Sequence, residues 1–254
     1  MSFFKKKEII FQKQTRFNNL TVIRKRNIIT LWSGGNKQTE IDASNPLCTR
    51  LEYSRNFFLS LVFHPAPGSI LVLGLGGGAI PSLLHSILEN SIIDVVEIDP
   101  EMPAIAKEYF YFSISERLRV FIDDAYFFIR DTHNNYDIVL LDAYIENQIL
   151  ETVDSMEFFA ETARVLAPNG IFVANLMTLN QGHFENIIER MSRVFKDIWM
   201  LPGVTSTNSL VFAARNKILG SKIQKKAKKL IKKIPFDLKI HKLMNRLENI
   251  RQQG

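Results

Sequence analysis

Cysteine is all but missing: Cys48 stands alone in 254 residues. That excludes an intramolecular disulfide and any metal centre built on cysteine, and it fits a reducing compartment. No run of about 18 apolar residues occurs, so no segment reads as a transmembrane helix. The opening MSFFKKKEII is basic but lacks the roughly 7–15-residue apolar region and small-residue cleavage pattern of a secretory signal. Together these absences predict a soluble cytoplasmic protein. The five histidines, His64, His85, His133, His183 and His241, show no ligand spacing, so no metal is expected. Acids are outnumbered, giving a net charge of +6, but the surplus is local. From Asn216 onward twelve Lys or Arg face two acids, a charge of +10, which leaves residues 1–215 at −4. A mildly acidic body offers no charge argument for nucleic-acid binding.

What is present centres on Leu71 to Pro81, LVLGLGGGAIP, which holds four of the 12 glycines. An apolar run of strand length ends in Gly74, Gly76, Gly77 and Gly78; Ile80, Leu83, Leu84, Ile87 and Leu88 then recur at helical spacing. Strand, tight turn and helix in that order cradle a phosphate or nucleoside. Glycines admit a ligand close to the backbone, and the helix start points unpaired N–H groups at it. About twenty residues on, Val95-Val96-Glu97-Ile98-Asp99 ends a second strand with an acid placed to accept both hydroxyls of a ribose. Turn and acid together predict an adenosine-containing ligand. Asp99, followed by Pro100, reads as a helix N-terminal residue.

The composition, 46% hydrophobic, suffices for one large domain or a main domain with an appendage. Residues 1–65 read as a small β-hairpin cap plus a helix: short strands at Phe17–Val22, Asn27–Trp32 and Gln38–Ile41, then apolar residues at helical spacing from Thr49 to Val62. His64-Pro65-Ala66-Pro67-Gly68 marks the boundary. Residues 66–215 alternate strand and helix patterns, which predicts a parallel sheet covered on both faces with a ligand at the carboxyl ends of its strands. Residues 216–254 form a basic amphipathic helical tail broken at Pro235. Its stripes, Ile223, Ala227, Leu230, Ile231 and Ile234, then Leu243, Met244, Leu247 and Ile250, suit either packing on the body or an anionic partner for 217–254.

Gly74, Gly76 and Ala79 also satisfy a dinucleotide fingerprint, with Glu97 as the ribose acid. No second mononucleotide-binding half follows, however. Asp123-Asp124-Ala125 closes the third strand and Tyr136-Asp137-Ile138-Val139-Leu140-Leu141-Asp142 brings an acid to the end of the fourth. In this order, with Gln38 and Tyr53 upstream, the chain from about Leu20 to Ala214 resembles the spermidine synthase-like (polyamine aminopropyltransferase) family within the class I S-adenosylmethionine-dependent methyltransferase superfamily. The resemblance implies an α/β, Rossmann-like fold with a mostly parallel seven-stranded sheet and a small N-terminal β-rich cap. It implies S-adenosylmethionine or decarboxylated S-adenosylmethionine as co-substrate, a small-molecule acceptor and a homodimer. By it, Glu97 binds the ribose, Asp124 and Ala125 the adenine, and Gly74, Gly76 and Gly78 the sulfonium side; Gln38 contacts ligand, and Asp142 and Tyr144 face the acceptor with Asp142 taking or orienting its proton.

The departures from the family concern charge. Its glycine turn, GGGDGG, has an aspartate for the donor amine where this chain has Gly77. Its D-S-S-D-P after the fourth strand has two acids where Asp142-Ala143-Tyr144-Ile145 has one, and an acid on the first helix is replaced by Arg55. A unit charge at 4 Å is worth about 4 kcal/mol gross at an effective dielectric near 20, so these losses weigh against a cationic donor and acceptor. They favour methyl transfer over aminopropyl transfer, with a spermidine synthase and a non-catalytic nucleoside-binding protein as the alternatives.

Overall fold

The computed structural model describes residues 7–145, 148–149, 151–178, 180–217 and 224–250. The N-terminal part exceeds the expected hairpin. Five strands, β1 (Glu8–Gln14), β2 (Asn19–Lys25), β3 (Ile28–Ser33), β4 (Asn36–Asp42) and β5 (Asn45–Thr49), form one antiparallel meander in sequence order. Strands β1, mostly exposed, and β5, mostly part-exposed, are edges and lack the hydrophobic alternation by which a strand is read from sequence. The helical pattern after β5 breaks into α1 (Glu52–Asn56), a 3₁₀ turn at Phe57–Leu59 and α2 (Ser60–Phe63).

The large sheet is built from β6 (Ser69–Leu73), β7 (Ile92–Glu97), β8 (Leu118–Ile122) and β9 (Tyr136–Leu141), with β12 (Leu166–Met177), β13 (Asp197–Leu201), β14 (Asn208–Ala214) and β15 (Glu248–Asn249); the two-residue strands β10 (Tyr144–Ile145) and β11 (Gln148–Ile149) form a separate ribbon. Its order is β15-β13-β14-β12-β9-β6-β7-β8: eight strands, not seven. The eighth, β15, comes from the basic tail and pairs with β13, where no strand pattern is legible in two residues. The run β12-β9-β6-β7-β8 is parallel, and β14 returns antiparallel beside β12.

Both faces are covered, which is why the central strands are almost wholly apolar. Alternate residues sort cleanly between the faces. Ile70 and Val72 join one core with α3 (Ala79–Ile87), α4 (Met102–Phe110), the N-terminal sheet and the tail. Leu71 and Leu73 join the other with α5 (Ala125–Asp131), α6 (Met156–Val165) and α7 (Gln181–Val194). The tail's α8 (Gln224–Ile231) and α9 (Ile240–Met244) lie on the first core through buried Ala227, Ile234, Leu238 and Leu243.

Two buried carboxylates tie the layers together. Asp94 in β7 accepts from Nε and Nη2 of Arg119, at 2.7 and 2.9 Å, and from the Tyr136 hydroxyl at 2.9 Å, spanning three strands. Asp99 keeps its expected helix-start role, its Oδ1 accepting the Glu101 N–H at 3.1 Å and its carbonyl the Met102 N–H at 3.0 Å just ahead of α4, and it does more. Fully buried, it accepts Thr15 Oγ1 at 2.6 Å and Asn18 Nδ2 at 2.9 Å, and so clasps the N-terminal sheet to the end of β7.

Candidate functional site

At the carboxyl end of β6 the backbone turns at Gly74 with φ +98°, a conformation that costs an L side chain heavily. A Cβ there would run into the carbonyl oxygen of Asp142, so the glycine lets the ends of β6 and β9 close up. Gly78, φ +75°, ends the turn as the N-cap of α3. Gly74, Leu75, Gly76 and Ala79 line a narrow cleft of about 60 Å³ that also receives Gln38, Glu97, Asp123, Ala125 and Asp142.

Glu97 closes one wall. Its Oε2 accepts the Leu75 N–H and its Oε1 the Asp99 N–H, both at 2.9 Å, so the acid holds the glycine turn in shape. The Gly76 N–H is a further backbone donor to this carboxylate, and of its roughly four acceptor sites the remainder is open to a ribose hydroxyl. Burial pushes the Glu97 carboxyl up, against the pull of these backbone donors. Asp124 sits at the N-cap of α5, where Oδ1 accepts the Tyr126 N–H at 2.8 Å. The neighbouring Asp123 and Ala125 line the cleft there.

Asp142, at the end of β9, is pushed up to about 6 by burial, partly offset by a bond from Asn175. Asn175 Nδ2 donates to Asp142 Oδ1 at 2.8 Å. Among the described lining residues no cation faces it. The structure thus brings Gln38, Gly74, Gly76, Glu97, Ala125 and Asp142 together in one cleft. Gly78 lies behind it, its α-carbon packed toward Phe112. The side chain of Tyr144 lies outside the described residues.

A second chamber of about 440 Å³ adjoins the cleft at Gln38 and is walled by β4, α1 and the approach to β14, including Tyr53, Met177 and Asn208. The Tyr53 hydroxyl donates to the Gln38 carbonyl at 2.9 Å, fixing the wall between the two spaces. Its carboxylates are engaged: Glu40 accepts from Lys37 at 2.7 Å and Arg50 at 3.3 Å, and Glu52 accepts the N–H groups of Val204 and Thr205. Arg55 does not add a cation to either space. Its guanidinium donates to the Thr49 carbonyl at 2.7 Å and stacks 5.0 Å from the Phe236 ring.

Gly77 is tightly enclosed. A Cβ there would lie 2.8 Å from Thr39 Cγ2 and 2.9 Å from Phe110 Cγ, and its N–H donates to Thr39 Oγ1 at 2.8 Å. Asp123 belongs to the Asp123-Asp124-Ala125 motif, whereas Thr39, Asn18, Asn175 and Asn208 stand in no motif of the sequence. Only Asn175 left a signal, a lone amide in the apolar run Ile171–Met177.

Five parallel strands with an antiparallel return, and a glycine turn facing an acid at the next strand's end, define a Rossmann-like protein of the class I methyltransferase fold. Within that class the chain belongs to the spermine/spermidine synthase family, whose domain model matches residues 57–224. A polyamine aminopropyltransferase of Vibrio vulnificus is 39% identical over 132 residues, 51% of this chain and 44% of the relative. One of Chromobacterium violaceum is 28% identical over 85% of this chain and 84% of its own length. The human eEF1A lysine and N-terminal methyltransferase is 29% identical over 58% of this chain and 23% of its length. Among solved structures, a probable spermidine synthase from Corynebacterium glutamicum superposes with a TM-score of 0.74 at 18% identity, covering 89% of this chain and 87% of that one. Human methyltransferase-like protein 13 in complex with SAH gives 0.64 at 24% identity, covering 74% and 94%. The two lines of kinship share one fold.

Proposed function

We propose that the protein is a transferase that binds S-adenosylmethionine in the cleft and passes its methyl group to a small acceptor held in the adjoining chamber. The observation that carries this reading is Gly77. The family's donor-amine aspartate belongs there, and Thr39 and Phe110 fill the space its side chain needs. Without that acid, the position the family uses for the donor amine carries no negative charge to disfavour the carboxylate of the unmodified donor. Glu97 is assigned to the ribose, Ala125 with Asp124 to the adenine, and Gly74, Gly76 and Gly78 to shaping the turn around the sulfonium side. Gln38 contributes to the wall between donor and acceptor.

The reaction is a direct displacement: the acceptor's lone pair bonds to the carbon, the carbon–sulfur electrons stay on sulfur, and Asp142 takes the acceptor's proton. A carboxyl near 6 is largely ionised at neutral pH and is a stronger base than an ordinary aspartate. The chamber suits a neutral or anionic acceptor, because its described carboxylates are already paired with cations or backbone donors. Aminopropyl transfer is the second reading, favoured by the Chromobacterium relative that matches along most of both chains.

Calorimetric titration with S-adenosylmethionine and with its decarboxylated form tests the choice. Tighter binding of the carboxylated donor is expected. Preference for the decarboxylated donor would transfer the assignment to polyamine synthesis, and binding of neither would remove the enzyme reading.

A further inference from the structure

Asn175 and Asn208 take no part in the roles assigned above, yet they join the two spaces. Asn175 in β12 is 2% exposed. It donates through Nδ2 to Asp142 Oδ1 at 2.8 Å and accepts through Oδ1 from Asn208 Nδ2 at 3.0 Å. Asn208, at the start of β14, lines the larger chamber, whereas Asp142 lines the cleft.

A carboxamide has direction: one end donates and the other accepts. With Asn208 donating into its oxygen, Asn175 must turn its amine end toward Asp142. That orientation suits an ionised carboxylate and opposes a protonated one. The bond from Asn208 reinforces that orientation, so its loss should weaken the hold of Asn175 on the ionised carboxylate. The other titratable groups facing the cleft are Glu97 from β7 and Asp123 after β8. The described faces of the N-terminal sheet and α1 present Asn18, Gln38, Thr39 and Ser54, all uncharged. Hydrogen bonding therefore keeps Asp142 ionised where no described cation helps.

We propose that Asn175 and Asn208 are positioning residues: the pair engages Oδ1 of Asp142 and holds it as a carboxylate, leaving Oδ2 to take the acceptor's proton, and makes its ionisation answer to the chamber. The inference rests on the reading of Asp142 as proton acceptor and deepens it. The bond that forms is from the acceptor to carbon, the one that breaks is carbon to sulfur, and the proton ends on Asp142.

Carbon-13 NMR of the full chain, labelled at aspartate side-chain carboxyls and titrated from acid to neutral pH, reads the effect directly; the Asp142 signal is the one lost in Asp142→Asn. A midpoint near 6 is expected for the unaltered chain. Asn175→Leu should raise it by on the order of one pH unit. Asn208→Leu should raise it by less, although it does not touch Asp142, and Asn208→Gln should restore part of the shift. An unchanged midpoint in Asn208→Leu, or in the smaller Asn208→Ala if the leucine variant does not fold, overturns the proposal. Calorimetry with S-adenosylhomocysteine on the same samples separates the two readings. Binding with an unmoved midpoint defeats the relay alone, whereas no binding by the unaltered chain defeats the nucleoside reading and leaves the titration to decide the relay.

Discussion

Asp142 is held at a cost in stability. Its folded value, about 6, lies above that of an exposed aspartate, so the folded chain binds the proton more tightly than the unfolded one. The penalty is absent below about pH 4, grows as pH rises toward 6, and is fully present above. Asp142→Asn keeps an oxygen for Asn175 and removes the charge. It should abolish transfer yet stabilise the fold by about 1–3 kcal/mol at pH 7.5, with the gain vanishing near pH 4; thermal unfolding at the two pH values checks this. Loss of stability at pH 7.5 would contradict the account of its burial. Gly77 makes the opposite case, because there the smaller residue is the stable one. Gly77→Ala should cost about 1–3 kcal/mol through contact with Thr39 and Phe110, and denaturant titration should show Thr39→Ala recovering part of it.

The glycine turn is an element that depends on its neighbour for shape. Glu97→Ala would leave the Leu75 and Asp99 N–H groups without their acceptor, at about 1–3 kcal/mol each if water does not replace it. The expected outcome is loss of both nucleoside binding and stability, whereas Glu97→Gln, which keeps one acceptor, should lose binding with a smaller stability change. Sequence made this element legible because its signals are local: glycine spacing, an apolar strand and a strand-end acid lie within thirty residues, Leu71 to Asp99. The clasp made by Asp99 was not legible, because its partners Thr15 and Asn18 lie 84 and 81 residues away. For the same reason Asn175 and Asn208 escaped notice. Their function comes from register across β12 and β14, and sequence states register only where a face is alternately apolar. Arg55 misled because its charge was read without its direction, which Phe236 and the Thr49 carbonyl set.

At the scale of the whole molecule, the N-terminal sheet, the large sheet and the tail share one core. Phe58 packs edge-on against Phe236, 5.9 Å between ring centres, and Leu238 and Leu243 are 4% and 6% exposed. Removing residues 216–254 should therefore lower the unfolding temperature and uncover apolar surface detectable by dye binding; an unchanged melting profile would show the tail to be dispensable to the fold. The packing around Gly77 has a consequence for mutational history. A second-position change turns any glycine codon into one for aspartate or glutamate, so an acid at this position is a single base away in the gene. With Thr39 and Phe110 seated in its place, that step passes through a destabilised chain unless a neighbour changes first. An acid at this position is open to mutation in the gene and closed by packing in the protein, so a chain that is to carry one must change first at Thr39 or Phe110 rather than at the glycine.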